Sequence, residues 1–79
     1  MDLVPSERAV LKMIRMLFLE ASTRTHRVTV LRSRWPALHV EAYSSGFAGL
    51  MKKGFISLSA DQQVFSVTGN GLRAFTAFR

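Results

Sequence analysis

Cysteine is absent from this sequence of 79 residues, and acidic residues are few, five in total. The absence of cysteine excludes disulfides, thiolate metal sites and cysteine nucleophiles, and it suits a reducing cytoplasm. Long apolar runs are also missing: the stretch AVLKMIRMLFLEA is interrupted by Lys12 and Arg15, whereas a membrane span needs about 18 apolar residues. We therefore expect a cytoplasmic protein that makes no membrane contact.

Residues that carry out chemistry are scarce. The two histidines, His26 and His39, stand 13 positions apart without a supporting pattern of carboxylates, and we interpret both as structural or solvated. Glycines occur at turns and inside a helical segment rather than in a phosphate-binding loop after a strand. No pairing of a nucleophile with a base is visible. We expect neither an enzyme nor a cofactor or metal site.

Positive charge is what the sequence has in excess, with 11 lysines and arginines against five acids and a net charge of +6. Such a domain is attracted to nucleic acid, to an anionic membrane or to an acidic protein. Because 48% of the residues are apolar, the chain is globular rather than disordered. The length predicts one domain, residues 1–79.

The first helix is predicted to begin near Ser6, with Pro5 at its entry and Glu7 favourably placed at the positive end of the helix dipole. Its apolar residues recur at helical spacing and predict a core-facing stripe: Val10, Met13, Ile14, Leu17, Phe18 and Ala21. A narrow basic stripe runs beside them, formed by Arg8, Lys12 and Arg15. It is either a solvated edge or a ridge that contacts phosphates or a partner.

Two further helices follow. Val28 is predicted to form a brief strand and Thr29 to cap a short second helix, which Pro36 stops. Leu31 and Trp35 are its inward pair. The third helix is predicted over 40–53, with Gly54 ending it.

Small residues are unusually frequent in the third helix. Its apolar face is predicted to contain Val40, Tyr43, Phe47, Leu50 and Met51. Ala42, Gly46 and Gly49 lie along one ridge, where each glycine costs about 1 kcal/mol relative to alanine. The ridge allows close packing against another helix or close approach of a ligand such as DNA.

A β-hairpin is predicted after the third helix, with strands over 55–59 and 64–68 and the loop ADQQ. This register pairs Leu58 with Phe65 and Ile56 with Val67, which places all four on one face. The segment TGNG is predicted to turn the chain through positive φ angles. Leu72, Phe75 and Phe78 then predict a short final helix.

The succession of elements resembles a known family. LVPSERAVLKMI is similar to the opening of winged-helix regulators of the MarR and related types, and LMKKGFI followed by VTGNG is similar to their recognition-helix end and wing. The resemblance covers about residues 3 to 76. It implies an α+β, mostly α fold, a winged helix-turn-helix with three helices, a two-stranded hairpin wing and a short C-terminal helix.

The resemblance also implies a function: the chain would be a small transcriptional regulator that binds double-stranded DNA and is associated with the nucleoid. The third helix, about 40–53, would enter the major groove, and arginines between residues 24 and 34 would contact phosphates. The implied DNA-binding residues are Arg24, Arg27, Thr29, Arg32, Arg34, Glu41, Ser44, Ser45, Ala48, Lys52, Lys53, Gln62 and Gln63.

Two departures from the family keep alternatives open. The wing tip has Asp61 and two glutamines where a wing that enters the minor groove usually carries Arg or Lys, which favours a winged-helix module that binds another protein. The long terminal helices of MarR-type dimers are missing. A homodimer would therefore use helix 1 or the C-terminal end, unless these residues complete the core: Leu11, Met16, Leu19, Phe75 and Phe78. Binding of RNA or single-stranded DNA is less favoured, because it requires exposed aromatic side chains on a basic face. Tyr43 and the phenylalanines are predicted to face inward.

Overall fold

Four α-helices and a three-stranded antiparallel sheet make up residues 3–76, the part of the chain that the computed structural model describes. The fold is α+β and mostly helical. Its elements in chain order are α1 Pro5–Ala21, β1 Thr25–Arg27, α2 Val28–Arg34, a 3₁₀ turn Ala37–His39, α3 Val40–Lys52, β2 Ile56–Leu58, β3 Val64–Val67 and α4 Gly69–Phe75.

Helix α1 begins one residue before the predicted start. Pro5 occupies the first helical position, where its missing N–H is not needed. The Val4 N–H donates to Glu7 Oε1 at 3.1 Å, which satisfies a backbone donor ahead of the first turn. The helix ends at Ala21, and the next residue, Ser22, has a left-handed φ of 52°.

The apolar surface of α1 divides between core and solvent. Leu11 lies off the predicted stripe but is fully buried, and Phe75 is buried as well, so both complete the core. Met16 and Leu19 remain 54% and 60% exposed. Phe78 lies outside the described residues.

The two glycines of α3 are explained by the packing of α3 against α1. A Cβ at Gly46 would overlap the carbonyl oxygen of Ser6 and lie 2.8 Å from Val10 Cγ2. A Cβ at Gly49 would overlap the side chain of Glu7. The prediction of close helix packing is therefore confirmed for both glycines, and the contacted element is α1.

A buried carboxylate lies in this helix interface. Glu7 is only 6% exposed and accepts a hydrogen bond from Lys53 Nζ at 2.5 Å. The bond from Lys53 holds the pKa of Glu7 below its usual value, although burial opposes the effect. The pair joins the first turn of α1 to the residue that follows α3, so it links elements that are distant in sequence.

We predict that acid weakens this link between α1 and α3. Because the folded-state pKa of Glu7 is depressed, the stabilisation is present above the unfolded value of about 4.3 and is lost as pH falls through the folded value. Urea unfolding from pH 7 to pH 3 should show falling stability, with a shallower decline in Glu7→Gln. An equally steep decline in the variant would contradict the assignment.

The hairpin register is as predicted. Leu58 pairs with Phe65 and Ile56 with Val67, and the Ser59 N–H donates to the Val64 carbonyl at 2.8 Å. Strand β2 is one residue shorter than predicted at each end, and β3 begins at Val64 as predicted but ends one residue earlier. Gly54, just after α3, has φ of 80°, as its predicted role at the helix end requires.

The predicted hairpin of β2 and β3 is present, and a third strand that the prediction did not place in the sheet completes it. Strand β1 pairs with β3, which gives the order β1-β3-β2. Val28, expected in a strand, begins α2 instead. Strand β1 reads Thr-His-Arg, with only its middle residue, His26, partly buried, so its sequence carries no clear alternation of apolar and polar residues.

The segment TGNG also differs from its prediction. Instead of forming a turn, its last three residues begin α4, and Gly69 and Gly71 do not adopt positive φ. Thr68 Oγ1 caps the helix by accepting from the Gly71 N–H at 3.2 Å, and it donates to the Gly54 carbonyl at 2.6 Å. Gly71 is needed for space, because a Cβ there would overlap the Phe55 carbonyl oxygen.

Candidate nucleic-acid interface

One side of α3 faces the core and the other faces solvent, as the sequence predicted. Tyr43, Phe47 and Leu50 are buried. The outer face of α3, as we call it, consists of five exposed residues: Glu41, Ser44, Ser45, Ala48 and Lys52. Val40, expected in the core, is instead 39% exposed.

The connection between α2 and α3 is held by hydrogen bonds. Trp35 Nε1 donates to the His39 carbonyl at 2.7 Å, and the His39 N–H donates to the Pro36 carbonyl at 3.0 Å. The Trp35 ring also packs against Tyr43, with centroids 5.9 Å apart. Leu38, within this fixed turn, is 94% exposed, a feature that sequence reasoning missed because spacing alone does not show it.

The start of α2 differs from the prediction. Arg27 occupies the N-cap position, and no side chain provides the cap hydrogen bond. Thr29 therefore lies inside the first turn of α2, where it is exposed. Leu31 is fully buried, as predicted for the inward side of this helix.

Arg32 lies beside α3. Its guanidinium is 5.5 Å from the centroid of the Tyr43 ring, within the range of a cation–π contact. The Tyr43 hydroxyl is buried and finds no hydrogen-bond partner within residues 3–76, and its burial raises the pKa of the phenol.

We predict that Tyr43→Phe raises the free energy of unfolding by about 1 kcal/mol, because it removes an unsatisfied buried hydroxyl. The ring contacts with Trp35 and Phe47 are kept. Urea unfolding measures the change, and Phe47→Tyr, which adds a hydroxyl to a buried ring, is the opposite control. A less stable Tyr43→Phe would show that the hydroxyl has a partner, such as a water.

Two of the cations implied to bind DNA are paired with carboxylates. Arg34 donates to both oxygens of Glu20, at 2.6 and 2.9 Å, and this contact lowers the pKa of the Glu20 carboxyl. Lys53 pairs with Glu7. These contacts reduce the positive charge that either cation presents to a polyanion.

The other four implied cations take part in no ion pair within residues 3–76: Arg24, Arg27, Arg32 and Lys52. Arg24 Nε donates to the Val67 carbonyl at 3.0 Å, which fixes its side chain beside the sheet. Arg27 and Lys52 are exposed.

The one charged side chain of the hairpin tip, Asp61, forms hydrogen bonds within the loop. Asp61 Oδ1 accepts from Ser59 Oγ at 2.5 Å and from the Gln63 N–H at 3.1 Å, and these bonds lower the pKa of Asp61. Gln62 takes a left-handed φ of 61°. Asp61 thus shapes the loop, and Gln62 and Gln63 are exposed at its tip.

Other kinds of site find little support within residues 3–76. No cluster of three or more metal-ligating side chains occurs there, and no helix there has the length and apolarity to cross a membrane. His26 bonds to the Thr23 carbonyl and packs on Phe65. The chain matches no protein-family model, and neither a curated protein nor a solved structure matches it significantly. The outer face of α3 and its surrounding cations are thus the candidate site.

Proposed function

We propose that this chain is a small winged-helix domain that binds double-stranded DNA and regulates transcription, with α3 in the major groove. The order of elements supports the proposal: α2 and α3 are joined by a tight turn, and a hairpin follows them. Strand β1 beside β3 anchors that hairpin to the rest of the domain.

The outer face of α3 is the observation that carries the proposal. It is exposed and free of large apolar side chains, and it has the width of an α-helix, which the major groove admits. Arg32 lies beside the N-terminal half of α3 and Lys52 at its C-terminal end. Serine hydroxyls on the face can bond base edges or phosphates, and Glu41 can accept from cytosine.

Binding to duplex DNA at two salt concentrations tests the proposal. If the four cations outside ion pairs contact phosphates, the affinity should fall about 100-fold between 50 and 200 mM salt, from a slope of roughly −0.9 per phosphate neutralised. Absence of binding at 50 mM salt, or binding without salt dependence, would contradict the proposal.

We predict that Arg27→Ala weakens binding to all sequences alike and reduces the salt slope by about one. Arg32→Ala should do the same. Arg34→Ala is the matched control: it removes the same charge, but Glu20 already pairs with this guanidinium, so the slope should change less. Equal effects for Arg27→Ala and Arg34→Ala would show that the ion pair opens on DNA.

A protein-interaction module is the second candidate function. Three features favour it: the exposed Leu38, the ion pairs of Arg34 and Lys53, and the lack of positive charge at the hairpin tip. It predicts a folded protein that does not bind duplex DNA and that retains an acidic partner in stoichiometric amount.

A homodimer is a further proposal for the DNA-binding form. An open apolar groove of about 210 Å³ lies between α1 and α4, lined by Phe18, Leu19, Leu72 and Phe75 with Arg15 and Thr76 at its edges. Met16 and Leu19 are large apolar residues of α1 that are exposed. The mass in solution, alone and with DNA, tests the proposal, and a dimer predicts two half-sites about one helical turn apart.

A further inference from the structure

Two apolar side chains lie at the N-terminal end of α3 without a place in the core. Leu38 is 94% exposed in the turn before the helix, and Val40, its first residue, is 39% exposed. The hydrogen bonds from Trp35 and His39 hold the turn, so Leu38 is presented on a fixed backbone. If α3 enters the major groove by its N-terminal half, these side chains meet the base edges.

The outer face of α3 offers little else that could distinguish bases. It has no arginine, asparagine or glutamine, whose bidentate bonds select guanine or adenine. Lys52, which can also bond guanine, lies at the opposite, C-terminal end of α3. Glu41 can accept a hydrogen bond from the amino group of cytosine. An apolar side chain, however, can distinguish thymine through its C5-methyl group, which points into the major groove. Leu38, Val40 and the methyl of Ala48 suit that contact.

Charge indicates what this apolar end contacts. Arg32 packs against Tyr43, three residues along α3 from Val40, and Arg27 is exposed at the start of α2. An apolar protein groove would leave these cations without counter-charges, whereas DNA places phosphates on both sides of its thymine methyl groups. A polyanion with methyl groups between its charges therefore fits this surface.

We propose that Leu38, together with Val40 and Ala48, reads thymine methyl groups in the major groove, so that the chain prefers sites rich in A·T pairs. The inference rests on the proposed DNA-binding function. It adds the sequence class of the target and names Leu38 as its main specificity-determining residue.

The test compares two synthetic duplexes of alternating A·T pairs that differ only in carrying thymine or deoxyuridine. The phosphates are the same, so general electrostatic binding is equal, and only the methyl groups differ. We expect the full chain to bind the thymine duplex about fourfold more tightly for each methyl group contacted, as expected for burial of one methyl-sized group.

Two variants separate direct contact from an effect of the methyl groups on DNA shape. Leu38→Ala should lose most of the preference for thymine over deoxyuridine. Val4→Ala is the matched control, since Val4 is also an exposed apolar residue but lies just before α1, and it should keep the preference. Neither substitution touches a buried side chain, so both variants should remain folded, which circular dichroism checks.

The outcomes separate failure of the thymine inference from failure of the proposed DNA binding. Equal binding of both duplexes by the unaltered chain overturns the reading of methyl groups but leaves DNA binding in place. A preference that persists in Leu38→Ala also overturns the inference, because it then arises from DNA shape. Absence of binding to either duplex at low salt overturns both proposals. A preference that is lost in Leu38→Ala and kept in Val4→Ala supports the inference.

Discussion

Gly46→Ala should lower the free energy of unfolding by about 3 kcal/mol, a typical upper cost of overpacking a rigid contact. The new Cβ would overlap the Ser6 carbonyl and lie 2.8 Å from Val10 Cγ2. The Ser6 carbonyl is part of the hydrogen-bonded backbone of α1 and cannot rotate away, so the two helices must separate. The higher helix propensity of alanine stabilises α3 by only about 1 kcal/mol. The expected loss of about 3 kcal/mol already includes this gain.

Thermal and urea unfolding measure this effect. For a domain of this size a loss of about 3 kcal/mol lowers Tm by roughly 12–24 °C. Gly69→Ala is the matched control, a helical glycine whose Cβ would come no closer than 4.0 Å to the Arg73 side chain. It should be neutral or slightly stabilising. Equal destabilisation by both substitutions would contradict the packing explanation.

Ser45→Glu should abolish DNA binding, with a loss of more than about 100-fold, while the protein stays folded. Ser45 is exposed on the outer face of α3, so a glutamate there would oppose the phosphates at the centre of the interface. Juxtaposed like charges cost several kcal/mol in a complex. Fluorescence anisotropy with a labelled duplex at low salt measures the loss.

The control for Ser45→Glu adds the same charge elsewhere. Ala9→Glu introduces one carboxylate at an exposed position of α1, so it changes the net charge equally but lies on another helix. It should weaken binding only slightly. Unchanged binding by Ser45→Glu would show that α3 is not at the interface, and equal weakening by both variants would indicate a non-specific charge effect.

Elements with a strong local pattern of apolar and polar residues could be predicted from the amino-acid sequence alone. Strict alternation set the register of β2 and β3, down to the pairs Leu58–Phe65 and Ile56–Val67. Helical spacing set α3 within one residue and divided it into a buried side and an outer face. These predictions succeed because side-chain direction follows directly from position along a helix or strand.

Only the tertiary structure decided which partners those elements meet. Strand β1 joined the sheet through β3, about 40 residues away in sequence, although its own three residues carry little strand signal. Glu20 paired with Arg34, and Glu7 with Lys53, which reduced the number of cations outside ion pairs. Gly46 and Gly49 fitted α1, and Leu38 stayed in solvent. The physical reason is that ion pairs, close helix contacts and exposure depend on distances across the fold, which the periodicity of one segment does not specify.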